Sequence, residues 1–190
     1  METQGECAGA NPSFWERTAR KHSTAPLQEH LTTDVCVIGA GIAGVTTAYL
    51  AARENRPVVL VDDGPVGGGM TSRTTAHLVN AIDDRYIDIE KFLGEECARL
   101  TADSHTAAID CAERIAREHN MNCDFERVDG YLFLPPGGSV KELMEELEAI
   151  HRAGLRDVAR VDSAPNTNIN SDAVLRFPRQ AQFHPLKFPN

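Results

Sequence analysis

Thr33-Asp34-Val35-Cys36-Val37-Ile38-Gly39-Ala40-Gly41-Ile42-Ala43-Gly44 is the stretch on which the reading of this chain turns. Its four consecutive apolar residues, Val35 to Ile38, predict a short strand buried on both faces. The strand runs directly into G-x-G-x-x-G. Beyond it, Ile42, Val45, Tyr49 and Ala52 recur at helical spacing and predict one apolar helix face. A second β-branched run, Val58-Val59-Leu60-Val61, then ends on the carboxylates Asp62 and Asp63.

Strand, glycine turn, helix, strand and acid stand in the order that a dinucleotide site requires. Gly39 permits the tight turn out of the strand, and Gly41 lets the backbone approach a diphosphate. Gly44, with Ala48 one turn on, lets the helix pack closely on the strand. The helix N-terminus presents unpaired N–H groups and partial positive charge to phosphate oxygens. Asp62 follows Gly44 by 18 residues, close to the spacing of an acid that bonds a ribose hydroxyl. Gly39, Ala40, Gly41, Ile42, Ala43, Gly44, Asp62 and Asp63 are therefore candidate cofactor-binding residues.

The acid is followed by Gly64-Pro65-Val66-Gly67-Gly68-Gly69-Met70 and then by Thr71-Ser72-Arg73-Thr74-Thr75-Ala76-His77-Leu78. A triple glycine leaves the backbone free to approach a ligand. The hydroxyls of Thr71, Ser72, Thr74 and Thr75, with the Arg73 guanidinium, can bond phosphate oxygens or the edge of a heteroaromatic ring. A surface loop held by Ser/Thr turns accounts for the same residues, but the position directly after the ribose acid favours a ligand.

Composition bounds the possibilities. The chain has 190 residues, 42% hydrophobic and 25% charged, one large domain or part of a larger protein. A formal charge of −9 without a basic stripe makes nucleic acid and anionic membrane surfaces poor partners. No apolar run approaches the ~20 residues of a membrane span, and the N-terminus lacks the apolar core of a secretory signal. The five cysteines, an odd number, include no C-x-x-C or C-x-H pair, so no metal site is expected and a reducing cytoplasm fits best. Cys36, in the strand, and Cys111, on an apolar helix face, read as small core residues.

Residues 1–30 are polar, with Pro12 and Pro26, and predict an extended arm that Phe14 and Trp15 anchor. Residues 31–122 form the nucleotide-binding region with covering helices. It includes a short helix within 83–93, a break at Gly94, and a long helix from Glu95 to His119. The apolar face of that helix is expected at Leu100, Ala108, Cys111, Ala112, Ile115 and Ala116, with His105 and His119 facing solvent. Residues 123–190 open a second, α+β region. It begins with a β-hairpin around the Asp129-Gly130 turn and continues with a helix capped by a Ser139/Glu142 box and carrying Leu143, Leu147 and Ile150. Strands are expected at 157–161 and 174–177, separated by an asparagine-rich loop.

The glycine fingerprint, Asp62, the 71–78 loop, the Asp129-Gly130-Tyr131-Leu132-Phe133 segment and Phe183-His184-Pro185-Leu186 together resemble the FAD-dependent oxidoreductases of the D-amino-acid oxidase class. The resemblance is narrower with the glycine and D-amino-acid deaminating branch, whose members often carry a C-terminal Rieske domain. It implies an α/β fold, with a Rossmann-like FAD-binding βαβ unit followed by the start of an antiparallel substrate region. It implies FAD with its diphosphate at Gly39 to Gly44, its ribose at Asp62, and the 71–75 loop running toward the isoalloxazine. His77 and His184 become candidates for the flavin neighbourhood, and each reads equally well as a structural histidine. The implied reaction removes a hydride from the C–N bond of an amine or amino acid, without requiring a general base. The implied family is longer than this chain, and the Rieske cysteine–histidine pairs are absent. The sequence therefore reads as an N-terminal part of such an enzyme. An NAD-dependent dehydrogenase and a catalytically incompetent nucleotide-binding remnant are the competing readings. The oligomeric state is open.

Overall fold

A short helix, α1 (Phe14–Thr18), precedes the glycine fingerprint in the computed structural model, which describes residues 11–20, 24–134, 137–165 and 173–188. Ser13 and Glu16 close a reciprocal capping box on α1, so the arm expected to be extended contains a helical turn. Strand β1 (Val35–Ile38), helix α2 (Ile42–Arg53) and strand β2 (Val58–Val61) follow at the anticipated positions. The strands pair in parallel, with Val35 opposite Val58 and Ile38 opposite Val61. Only one face of this two-stranded sheet is covered. Helix α2 packs on it, whereas Cys36 is exposed and Ile38 is 85% exposed on the other side. The expected burial of β1 on both faces, and of Cys36 in a core, is thus corrected. No described element of this part of the chain lies over the second face. Cys111 is half-buried, and the Arg114 guanidinium approaches its sulfur at 3.2 Å.

The chain divides into two compact units. The first takes in the described residues of Met1–Ala76, Asn120–Asp124 and Phe183–Asn190, including the βαβ element. The second comprises His77–His119 and Phe125–Gln182. It contains strand β3 (His77–Leu78), helices α3 (Tyr86–Leu93) and α4 (Glu95–Glu118), strand β4 (Glu126–Phe133), helix α5 (Val140–Arg152), and strands β5 (Ala159–Val161) and β6 (Val174–Gln182). All pairings in this sheet are antiparallel and all involve β6. β4 lies along one edge of β6, and β3 and β5 pair with its two ends.

The predicted Asp129-Gly130 hairpin is absent. Those residues lie inside β4, which continues along β6 from Glu126 opposite Gln182 to Phe133 opposite Val174. A nine-residue partner offers ladder bonds on both sides of Asp-Gly, and that outweighs a local turn. The irregularity falls on β6 instead. Between the pairs Val128–Gln180 and Gly130–Phe177, β6 has two residues, Pro178 and Arg179, where β4 has only Asp129. Pro178 has no N–H to give, and Arg179 adopts φ 59°, so the extra residue is absorbed as a bulge. Gly130 accommodates it, because a Cβ there would stand 3.0 Å from Gln180 Cγ.

The core of the second unit lies between the sheet and its helices. Leu143, Leu147 and Ile150 of α5 are buried as their spacing predicts, against Leu175 and Phe177 of β6. On α4 the buried stripe is Ala98, Ala102, Ile109, Ile115 and Ala116. Leu100 and Ala108 are exposed, contrary to expectation. Small residues at 98 and 102 let neighbouring elements approach, and this close packing rather than side-chain size selected the stripe. His105 and His119 are exposed, as expected. Ser139 makes no side-chain bond to the first turn of α5, so the predicted capping box does not form. The asparagine-rich loop lies largely outside the described residues. Among those residues, no helix is long and apolar enough to cross a membrane.

Candidate dinucleotide site

Four backbone and side-chain contacts knit the glycine turn to the segments that follow it. The Gly39 N–H donates to Val61 O at 2.8 Å, which carries the β1–β2 ladder into the turn. The Ala40 N–H donates to the Asp62 carboxylate at 2.5 Å, and the Gly67 N–H donates to Ala40 O at 2.8 Å. The Ile42 N–H, in the first turn of α2, donates to Thr71 Oγ1 at 3.0 Å. Gly39 has φ +100°, which an L side chain tolerates poorly. Gly44 permits the closest approach: a Cβ there would stand 1.8 Å from Gly39 O.

Asp62 caps β2 and faces solvent. Its second oxygen accepts the Gly64 N–H at 2.7 Å. The bonds from Ala40 and Gly64 stabilise the ionised form and hold the carboxyl below its ordinary range, slightly offset by desolvation. A carboxylate offers about four acceptor positions, so the exposed rim of Asp62 retains capacity for ribose hydroxyls. Asp63 is exposed beside it.

The predicted loop is more ordered than its composition suggests. Residues Thr71–Arg73 form a 3₁₀ turn in which Thr71 and Ser72 are buried. The Ser72 hydroxyl donates to Gly69 O at 3.0 Å, and Thr74 Oγ1 accepts the Ala76 N–H at 3.2 Å. These two hydroxyls shape the loop. Thr71 reaches the helix start, while Thr75 is exposed. The Arg73 guanidinium lies 4.0 Å from the Glu16 carboxylate. Of the sequence-predicted residues, Ala40, Ile42, Asp62 and Thr71 are thus joined around the glycine turn. Gly41 is beside them, because a Cβ on it would meet Thr71 Oγ1 at 3.2 Å. Ala43 and Gly44 continue into α2. His77 is exposed and opens β3 opposite Gln182, in the second unit.

His184 is not exposed chemistry but a packed residue, 4% accessible. Thr18 Oγ1 donates to Phe14 O at 2.8 Å and stands 2.9 Å from His184 Nε2. The direction of the Thr18–His184 bond follows the imidazole tautomer. His184 Nδ1 is buried without a hydrogen-bond partner. Burial, reinforced by the Lys187 charge, depresses the imidazole pKa, with Asp124 partly offsetting it.

Sequence reasoning missed the buried carboxylate Glu146, 4% accessible, in the second unit. Its two oxygens accept the N–H groups of Tyr86 and Ile87, each at 2.9 Å, at the start of α3. Arg85, at the cap position of α3, makes no side-chain cap, so Glu146 supplies one from another helix. Its place on the apolar stripe of α5, three residues after Leu143, was the only available signal. Burial and the Glu146 charge raise the pKa of the Tyr86 phenol, whose hydroxyl donates to Asn80 O at 2.7 Å.

The glycine turn fits a dinucleotide diphosphate. Gly41 gives α2 no side-chain cap and Thr71 takes the Ile42 N–H, so the Ala43 and Gly44 N–H groups of the first turn are the ones left for phosphate oxygens. A side chain at Gly41 would enter this cradle, and the solvent-facing acid stands at the end of β2.

Comparison with known proteins agrees with this geometry. Residues 34–188 match the DAO family, FAD dependent oxidoreductase. YhfW of Bacillus subtilis (strain 168), provisionally named a Rieske 2Fe-2S iron-sulfur protein, is 32% identical over 189 residues, 99% of this chain and 36% of that protein. Gamma-glutamylputrescine oxidoreductase of Escherichia coli (strain K12) is 26% identical over 152 residues, 80% of this chain and 35% of that protein. Among solved structures, L-amino acid deaminase from Proteus myxofaciens, in complex with anthranilate, superimposes with a TM-score of 0.68 at 14% identity. That match covers 90% of this chain and 38% of the deaminase. The chain therefore spans about a third of the length of the curated relatives it matches. Its fold is the mixed α/β fold of that deaminase, and the chain belongs to the DAO family of FAD dependent oxidoreductases.

Proposed function

We propose that Gly39–Gly44, Asp62 and the 71–75 loop hold FAD for oxidation of an amine or amino acid. Bound there, FAD would take up a hydride from the carbon bonded to the substrate nitrogen, whose C–N bond becomes C=N as the nitrogen loses a proton. The first turn of α2 orients the diphosphate through its N–H groups, and Asp62 bonds the ribose while remaining ionised at neutral pH. Thr71 ties the cofactor loop to the same helix end. The observation that carries the reading is this convergence of Asp62 and Thr71 on consecutive parts of one glycine turn, through the Ala40 and Ile42 N–H groups. The names of the gamma-glutamylputrescine oxidoreductase and of the amino acid deaminase support the substrate class. Free cysteines at Cys36, Cys97, Cys111 and Cys123 among the described residues support a reducing, cytoplasmic setting.

The test is to saturate the purified protein with FAD, remove free cofactor and record the flavin absorption band. Retained FAD that is released on denaturation supports the reading, and bleaching of the band by amino acids or amines supports the reaction. A protein that retains no FAD but titrates with NADH overturns it.

A further inference from the structure

The N-terminal arm is bound to the cofactor loop by contacts that a surface tail would not make. Helix α1 has five residues, far short of the ~12 that an isolated helix needs for marginal stability in water. It persists because it is docked. The Trp15 indole N–H donates to Thr74 O at 2.9 Å, across 59 residues of sequence. The face of the contact is closed by His184, whose ring meets the Trp15 ring edge-on at a centroid separation of 4.9 Å. Thr18 Oγ1, one turn later, stands 2.9 Å from His184 Nε2, and the His184 backbone N–H donates to Cys123 O at 2.7 Å. One short helix thus joins the 71–75 loop to the 183–186 segment, and all of these residues belong to the first unit.

Resting on the FAD reading above, we propose that α1 is a clamp that holds the 71–75 loop in the conformation that receives the cofactor, with Trp15 as the positioning residue. The loop carries Thr71, which meets the start of α2, and its other local bonds are the Arg73 N–H to Met70 O and two hydroxyl-mediated turns. The Thr74 carbonyl takes its indole bond from outside the loop. Without that bond the carbonyl turns to water, and the loop samples conformations in which Thr71 leaves the Ile42 N–H. The cost falls on cofactor affinity, because the loop must then be ordered on binding.

The test uses Trp15→Phe, which keeps an aromatic ring at this position and removes the N–H together with part of the indole. Thr18→Val cuts the attachment to His184, and Arg17→Ala, at an exposed position of the same helix, is the control. Hydrogen–deuterium exchange of residues 71–76 without cofactor reads the clamp, and FAD titration by flavin fluorescence reads its consequence. The expected result is faster loop exchange in Trp15→Phe and Thr18→Val, and FAD binding weakened about fivefold in Trp15→Phe, the equivalent of one hydrogen bond. Arg17→Ala should match the parent in both. Unchanged loop exchange in both variants overturns the clamp. Faster exchange with parental FAD affinity overturns the positioning role. If the parent binds no FAD while loop exchange still rises, the clamp stands and the FAD reading falls.

Discussion

Thr71 Oγ1 accepts the N–H of Ile42 at 3.0 Å, so a loop 29 residues downstream supplies the side-chain acceptor that Gly41 cannot give to helix α2. This bond makes the 71–75 loop part of the helix terminus. Thr71→Val keeps the shape and removes the acceptor, leaving a part-buried donor unsatisfied at a cost of about 1–3 kcal/mol. Urea unfolding should show a lower midpoint for Thr71→Val and a near-parental one for Thr71→Ser. Equal midpoints for all three proteins would show that the bond contributes nothing.

Gly44 is constrained by contact and not by its backbone angles. A Cβ at 1.8 Å from Gly39 O forces α2 away from β1. Gly44→Ala should therefore destabilise the protein by about 3 kcal/mol, the upper end of overpacking costs. It should also weaken FAD binding, since the helix start moves with the helix. Calorimetry and flavin titration measure the two effects, and a parental melting temperature would refute the packing argument.

Asp62 links stability to acid pH. Its folded-state pKa is lowered by the Ala40 and Gly64 N–H groups. The ionised carboxylate therefore stabilises the fold above its unfolded pKa of about 4, and that contribution disappears as pH falls through the lower folded value. Asp62→Asn should melt below the parent at neutral pH, and the gap should close as pH falls through the lowered folded-state pKa. A gap independent of pH would exclude the charge as its origin.

Glu146 should behave as a remote helix cap. Glu146→Ala leaves the Tyr86 and Ile87 N–H groups without acceptors, at a cost of about 2–5 kcal/mol. Glu146→Gln retains one oxygen and should fall between that variant and the parent in chemical denaturation. Equal losses for Gln and Ala would assign the effect to charge and not to capping.

The bare face of β1 gives a chemical prediction. Cys36 is exposed, whereas Cys123 is fully buried. A thiol reagent should modify Cys36 in the native protein and reach Cys123 only on unfolding. Cys36→Ser should remove one fast-reacting thiol. Protection of Cys36 would mean that another surface covers this face.

Where the amino-acid order alone sufficed, the signal was short-range. The run Val35 to Ile38, the glycine spacing, the second apolar run and the acid after it define a βαβ unit, because each element is set by neighbours within a few residues. The 3.6-residue pattern of Leu143, Leu147 and Ile150 located α5 for the same reason. Tertiary structure settled whatever depended on a distant partner. Asp129-Gly130 has the local chemistry of a turn, yet the length of β6 makes it strand. Cys36 and Ile38 have the composition of a core, yet burial requires a covering surface that local sequence does not specify. The bonds from Ile42 to Thr71, Trp15 to Thr74 and Tyr86 to Glu146 cross 29, 59 and 60 residues. Periodicity carries no information about such pairings, since the energy of each bond exists only once folding has brought its donor and acceptor together.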